Sequence, residues 1–159
     1  MKEIPLSKGK VAIVDDEDYE KLRVYPWYAS RCSRRVWYAY RSVREGKRKR
    51  TIKMHTEIMG RKLIDHKNGN GLDNRRENLR PATPSQNGAN RGKNKDSLKK
   101  YKGVFKVSRG PSWMAVIRTK GKGIYIGSFP NEELAAEAYD KKASEIFGEF
   151  ARLNFPPQI

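Results

Sequence analysis

Ile64-Asp65-His66-Lys67-Asn68-Gly69-Asn70-Gly71-Leu72-Asp73-Asn74-Arg75-Arg76-Glu77-Asn78-Leu79-Arg80 decides how this chain is read. An apolar, strand-like segment ends on Asp65 and His66, the Gly-Asn run forms a tight loop, and Asn78 with Leu79 begins a return segment. Directly beyond, Thr83-Pro84-Ser85-Gln86 has the pattern of a helix start, with a capping box and proline at the first helical position, which puts Asn87 in the first turn. The expected order is hairpin, then helix. A bland reading also exists, in which Asp65 and His66 are a strand-end polar pair and the asparagines only furnish turns; a lone Asp-His dipeptide would favour it.

The extended motif reverses that preference. DHKNGNGLDNRRENLR followed by Gln86-Asn87 resembles the HNH endonuclease family, in particular its phage and intron-encoded homing members with a ββα-metal fold; the likeness covers roughly residues 50 to 92. The resemblance implies Asp65 and Asn87 as metal ligands, His66 as the general base, and Asn78 as the residue that orients His66. It also implies an intracellular, phage-encoded protein acting in a bacterial host. These roles make chemical sense. Phosphodiester hydrolysis needs a deprotonated water in line with the leaving oxygen, and neutral imidazole titrates close enough to neutrality to take that proton. A hard cation takes oxygen ligands, so Asp65 and Asn87 suit Mg2+, with Mn2+ as the alternative, better than zinc. Arg75, Arg76 and Arg80 are candidates to grip phosphates, while Asp73 is expected to pin the loop. His55 is either a satisfied sheet histidine or a residue near the site.

Composition points the same way. The 159 residues include 35 lysines and arginines against 18 acids, a formal charge of +17, which draws polyanions over long range. Double-stranded DNA is the leading partner; no protein partner is indicated. No apolar run approaches a membrane-spanning length and no signal peptide is evident, which leaves membrane binding a minor alternative. The single cysteine, Cys32, excludes an internal disulfide and the paired-cysteine knuckles of structural zinc sites, and a reduced compartment is expected.

The fold class expected is α+β: antiparallel strands at the N-terminus, the ββα-metal motif, a linker, and a three-stranded antiparallel sheet packed on one helix. Strands are expected at Val11–Val14, around Tyr25 to Ala29, at Val36 to Arg41 and at Thr51 to His55, with an acidic turn at Asp15 to Asp18. The run Lys47 to Arg50 either lies along a phosphate backbone as part of a sheet or is a solvated hairpin tip. Residues 1–92 form the expected nuclease domain, 93–100 a basic linker, and 101–159 a second domain.

In that second part, three alternating stretches, Lys102 to Val107, Ser112 to Thr119 and Gly123 to Phe129, precede a helix capped by Asn131 and stopped by Gly148. Tyr101-Lys102-Gly103-Val104, Trp113 to Arg118, Tyr125 to Phe129 and AAEAYDKKASEIFGEFARLNFP look like the plant Apetala-type, or ethylene-response-factor, DNA-binding domain. By that likeness a three-stranded sheet enters the major groove, and Lys102, Arg118 and Tyr125 match DNA-touching positions, with Arg109 near another. Phe105, Val107 and Gly123 stand where plant members place arginines, so DNA binding carries over and the plant target sequence does not. Trp113 reads as core. The functions in play are a site-directed endonuclease, a non-catalytic DNA-binding regulator, and an RNA binder that stacks bases on Tyr and Trp.

Overall fold

The computed structural model describes residues 1–32, 36–92 and 100–156, and the expected linker lies, apart from residue 100, outside them. The chain is α+β and divides into two compact units, Met1–Thr83 and Pro84–Ile159.

In the first unit, β1 (Lys2–Pro5) pairs antiparallel with β2 (Val11–Val14). Asp15 to Asp18 is not an acidic turn: Asp16–Leu22 forms helix α1. Asp16, Glu17 and Asp18 occupy its first turn, where carboxylates complement the helix dipole, and Leu22 turns into the core. A three-stranded antiparallel sheet follows in the order β3 (Tyr28–Cys32), β4 (Val36–Glu45), β5 (Arg48–Lys53). The strand expected around Tyr25 begins only at Tyr28, and the stretch expected to end at Arg41 continues to Glu45. Ala29 and Ala39 pair across β3 and β4, both buried, and their small side chains join Ile4, Val14, Trp27 and Met54 in one apolar cluster.

The strand expected at Thr51 to His55 ends at Lys53, and Met54–Met59 is helix α2, closed by Gly60 in the left-handed region at φ 62°. His55 is therefore a buried helix residue and not a sheet histidine. Beyond α2, β6 (Ile64–His66) pairs antiparallel with β7 (Leu79–Pro81), setting Asp65 opposite Arg80 and His66 opposite Leu79.

The second unit opens with helix α3 (Pro84–Ala89) and then forms the antiparallel sheet β8 (Val104–Lys106), β9 (Trp113–Thr119), β10 (Lys122–Phe129), with β9 central. Helix α4 (Glu132–Phe147) packs on that sheet. The Asn131 side chain accepts the Leu134 backbone N–H at 2.8 Å, and Gly148 ends the helix, as the sequence led one to expect. Ala135, Ala136, Tyr139 and Ala143 form its buried face against Val104, Ala115 and Ile117, but Leu134, which fits the same spacing, is exposed. Gly103 lies at φ +76°, and a Cβ there would come within 2.1 Å of the Tyr139 ring, so the aromatic ring packs flush on backbone.

Candidate active site

The loop between β6 and β7 is strapped to the N-terminal hairpin. The Ile13 N–H donates to the Leu72 carbonyl at 2.9 Å, and the Asn74 N–H donates to the Ile13 carbonyl at 2.8 Å. Farther along, the Arg76 guanidinium donates to both Asp18 carboxylate oxygens at 2.8 and 2.7 Å, and its N–H to Asp15 Oδ2. Asp73 pins the loop from inside, as expected, by accepting Asn68 Nδ2 and the Arg75 guanidinium at 2.8 Å each. Arg75 holds the Asp73 carboxyl below its ordinary range.

Asn74 is wholly buried within this strap. Its Nδ2 donates to the Leu72 carbonyl at 3.2 Å, which leaves Oδ1 facing His66 Nε2 at 3.4 Å. A carboxamide oxygen accepts, so Nε2 carries the proton and the ring lone pair sits on Nδ1. Burial pushes the His66 pKa down, against the opposing pull of the Asn74 contact and of Asp65 and Asp73, and the ring is a neutral base at physiological pH.

The orienting role expected of Asn78 is not what the geometry gives. Its Oδ1 accepts the Asn68 N–H at 3.0 Å and its Nδ2 donates to the Asp73 carbonyl at 2.7 Å, so Asn78 fixes the loop backbone. Asn74 meets the imidazole instead. Nothing local in the sequence separates these asparagines, because the strap that selects Asn74 is a contact with β2.

Tyr38 was not expected at the site, and His55 takes the second of its two expected places, near it. Tyr38 on β4 lies 5.6 Å from the His66 ring and His55 lies 4.9 Å from it, each measured between centroids. Burial and the neighbouring His66 and Lys53 push His55 down to about 3, so it too is neutral.

Asp65 is buried, and its Oδ2 accepts Arg80 Nε at 3.0 Å and Nη2 at 2.9 Å. The three arginines expected to grip phosphates are thus each engaged by carboxylates of their own unit: Arg75 by Asp73 and Glu77, Arg76 by Asp18, and Arg80 by Asp65. Asn87 lies half-buried on α3, in the second unit. Among the described residues no three His, Cys, Asp or Glu side chains converge as a metal cage. Asp65 offers a carboxylate oxygen in the first unit, and Asn87 a carboxamide oxygen in the second. Oxygen donors of these kinds suit a hard cation that takes most of its ligands from water and phosphate.

In the second unit, Tyr125 stands 61% exposed on β10, and Arg118 and Arg109 are also exposed. Lys102, also expected at DNA, is engaged within its own unit. Its ammonium donates to the Ala89 carbonyl within the unit, and burial lowers its pKa to about 8. Trp113 is half-buried on β9. No described helix is long and apolar enough to cross a membrane.

Comparison with known proteins agrees with the hairpin. Residues 57–89 match the HNH endonuclease family model. An uncharacterised HNH endonuclease of Acanthamoeba polyphaga mimivirus is 33% identical over 147 residues, covering 92% of this chain and 76% of that protein. Plant proteins match in part: dehydration-responsive element-binding protein 2A of Arabidopsis thaliana is 39% identical over 80 residues, 48% of this chain and 24% of the relative. An ethylene-responsive transcription factor of the same plant is 44% identical over 64 residues, 39% of this chain and 26% of the relative. The chain thus spans about a quarter of the length of these plant relatives. No solved structure matches. With a relative alike along most of both chains, and with the matched segment carrying the Asp65-His66 hairpin, this chain belongs to the HNH endonuclease family.

Proposed function

We propose that the chain is a metal-dependent DNA endonuclease that hydrolyses phosphodiester bonds and is directed to its substrate by the DNA-binding surface of its second unit. The observation that carries this reading is the His66 ring: neutral, fixed through Nε2 by Asn74, and adjacent in the chain to the Asp65 carboxylate.

In the reaction, Nδ1 of His66 takes a proton from water as the water oxygen attacks phosphorus. The bond to the 3′-oxygen breaks opposite the attack, and that oxygen is protonated by solvent. Asn74 accepts the Nε2 hydrogen throughout and stabilises the imidazolium that forms. A divalent cation, Mg2+ by preference, would supply charge stabilisation there when bound. Asp65 would hold it, and the resemblance assigns Asn87 as the companion ligand. The exposed Tyr125, Arg118 and Arg109 are the side chains of the second unit offered to DNA, where tethering raises the effective concentration of the cutting centre. The mimivirus relative supports a viral coding origin.

The engagement of Asp65, Arg75, Arg76 and Arg80 in internal ion pairs favours one second reading, a DNA-binding regulator that keeps the nuclease hairpin as scaffold. Incubation of a mixed DNA library with Mg2+, beside an EDTA control, separates the two. Metal-dependent ends support the endonuclease; binding with intact DNA under all conditions supports the scaffold.

A further inference from the structure

The sheet β3–β4–β5 has two faces of different chemistry. Ala29 and Ala39 mark the buried face. The cross-strand register places Tyr28 opposite Tyr40, Tyr40 opposite Lys53, Ser42 opposite Thr51, and Arg44 opposite Lys49, all on the other face. Tyr28 and Tyr40 stack there with centroids 6.0 Å apart.

The acids of this sheet region serve the first face. Arg41 is paired with Glu57 at 2.7 Å, and Arg50 with Glu45 at 3.0 Å. On the second face Arg44, Lys49 and Lys53 meet no carboxylate among the described residues. Arg44 and Lys49 are like charges directly opposite one another, an arrangement that costs stability unless a polyanion relieves it. The inner end of the face reaches the candidate centre. Lys53 Nζ lies 5.3 Å from the Tyr38 centroid and 5.9 Å from that of Tyr40, and the Tyr38 ring is the one that packs 5.6 Å from His66.

We propose that this face is the track for one DNA strand running outward from the His66 centre. Lys53, Lys49 and Arg44 neutralise phosphates in order of distance from the cut, and the Tyr38 and Tyr40 rings lie under the sugars and bases next to it. This rests on the endonuclease reading. DNA is the occupant because the face is uniformly cationic and is continuous with the hydrolytic centre.

The test measures binding of the full chain carrying His66→Ala to a fluorescent duplex over a series of salt concentrations. In that background, Arg44→Gln with Lys49→Gln is compared with Arg48→Gln with Arg50→Gln. Both pairs remove two positive charges from the same hairpin, but on opposite faces. The first pair is expected to reduce the slope of log affinity against log salt by about 2, from about 0.9 per phosphate contact, and to weaken binding at least about tenfold. Its melting temperature should be unchanged or raised, since a like-charge pair is removed. The second pair should change affinity no more than about threefold. Equal effects of the two pairs, or none from the first, overturn the track while leaving the endonuclease reading intact. Should the first pair fail to fold, Lys53→Gln gives the same readout with a slope change of about 1. Absence of any DNA binding by the parent protein would sink the endonuclease reading and the track together.

Discussion

The imidazole rings of His55 and His66 meet edge to face, with centroids 4.9 Å apart and planes at 83°. One ring comes from helix α2 and the other from the end of β6, and both are 4% exposed. Two positive charges are costly in so small a dry space. Burial keeps both rings neutral, helped at His55 by the neighbouring His66 and Lys53, and a neutral His66 is the form that the proposed general-base role requires.

Acid stability follows from that burial. The unfolded chain takes up a proton on His55 near its ordinary value of 6.5, while the folded chain holds it down to about 3. Stability from this group is therefore fully present above pH 6.5 and lost as pH falls toward 3, at up to about 1.4 kcal/mol per pH unit. Urea unfolding at pH 7.5 and pH 5 should give a clear loss in the unmodified protein and a smaller one in His55→Leu. An identical loss in both proteins would exclude His55 as the source.

Asn74 and Asn78 should fail in different ways. Asn74→Ala removes the acceptor of the His66 Nε2 hydrogen and should lower the cleavage rate at least about tenfold, by misorienting the base. Asn78→Ala strands the Asn68 N–H and the Asp73 carbonyl and should cost about 1–3 kcal/mol of stability instead. Rate and chemical denaturation measured on both variants decide the matter; an Asn78→Ala protein of full stability but no activity would return the orienting role to Asn78.

Arg80 Nη2 pairs with the buried Asp65 Oδ2 at 2.9 Å. Arg80→Met removes the ion-pair partner of a buried carboxylate and should destabilise the protein by about 3–5 kcal/mol at pH 7. Adding Asp65→Asn to it should restore part of that loss. If the single change proves neutral by denaturation, the pair is not the support described here.

How much of this was legible in the sequence depends on the range of the interaction that decides each residue. The β6–β7 hairpin, the Asn131 cap and the Gly148 stop are local features, written in Gly, Asn and Pro at fixed offsets, and they stand where expected. Helix α1 was hidden because Asp16, Glu17 and Asp18 resemble a turn in composition, though they serve a helix N-terminus equally well. His55 was misplaced because β5 passes into α2 without a glycine or proline between Lys53 and Met54. The choice of Asn74 over Asn78 is made by Ile13, far away in the chain, and no spacing rule sees it. Arginines beside a nuclease motif look alike in sequence whether they meet a phosphate or, as Arg76 does, an aspartate on α1.

The second unit offers a check on packing alone. Gly103→Ala drives a methyl group into the Tyr139 ring and asks an L-residue to hold φ +76°. A fall in melting temperature of the whole protein, or the appearance of a separate early transition, is expected; an unchanged thermal curve would contradict the packing of Tyr139 on that backbone.

Cleavage of DNA by the His66→Ala protein tests the central claim most directly. With Mg2+ present, the variant should bind DNA as the unmodified protein does and cut it at least about a hundredfold more slowly, the usual worth of a general base. Cutting at the unmodified rate would contradict the assignment of His66 as the base that activates water.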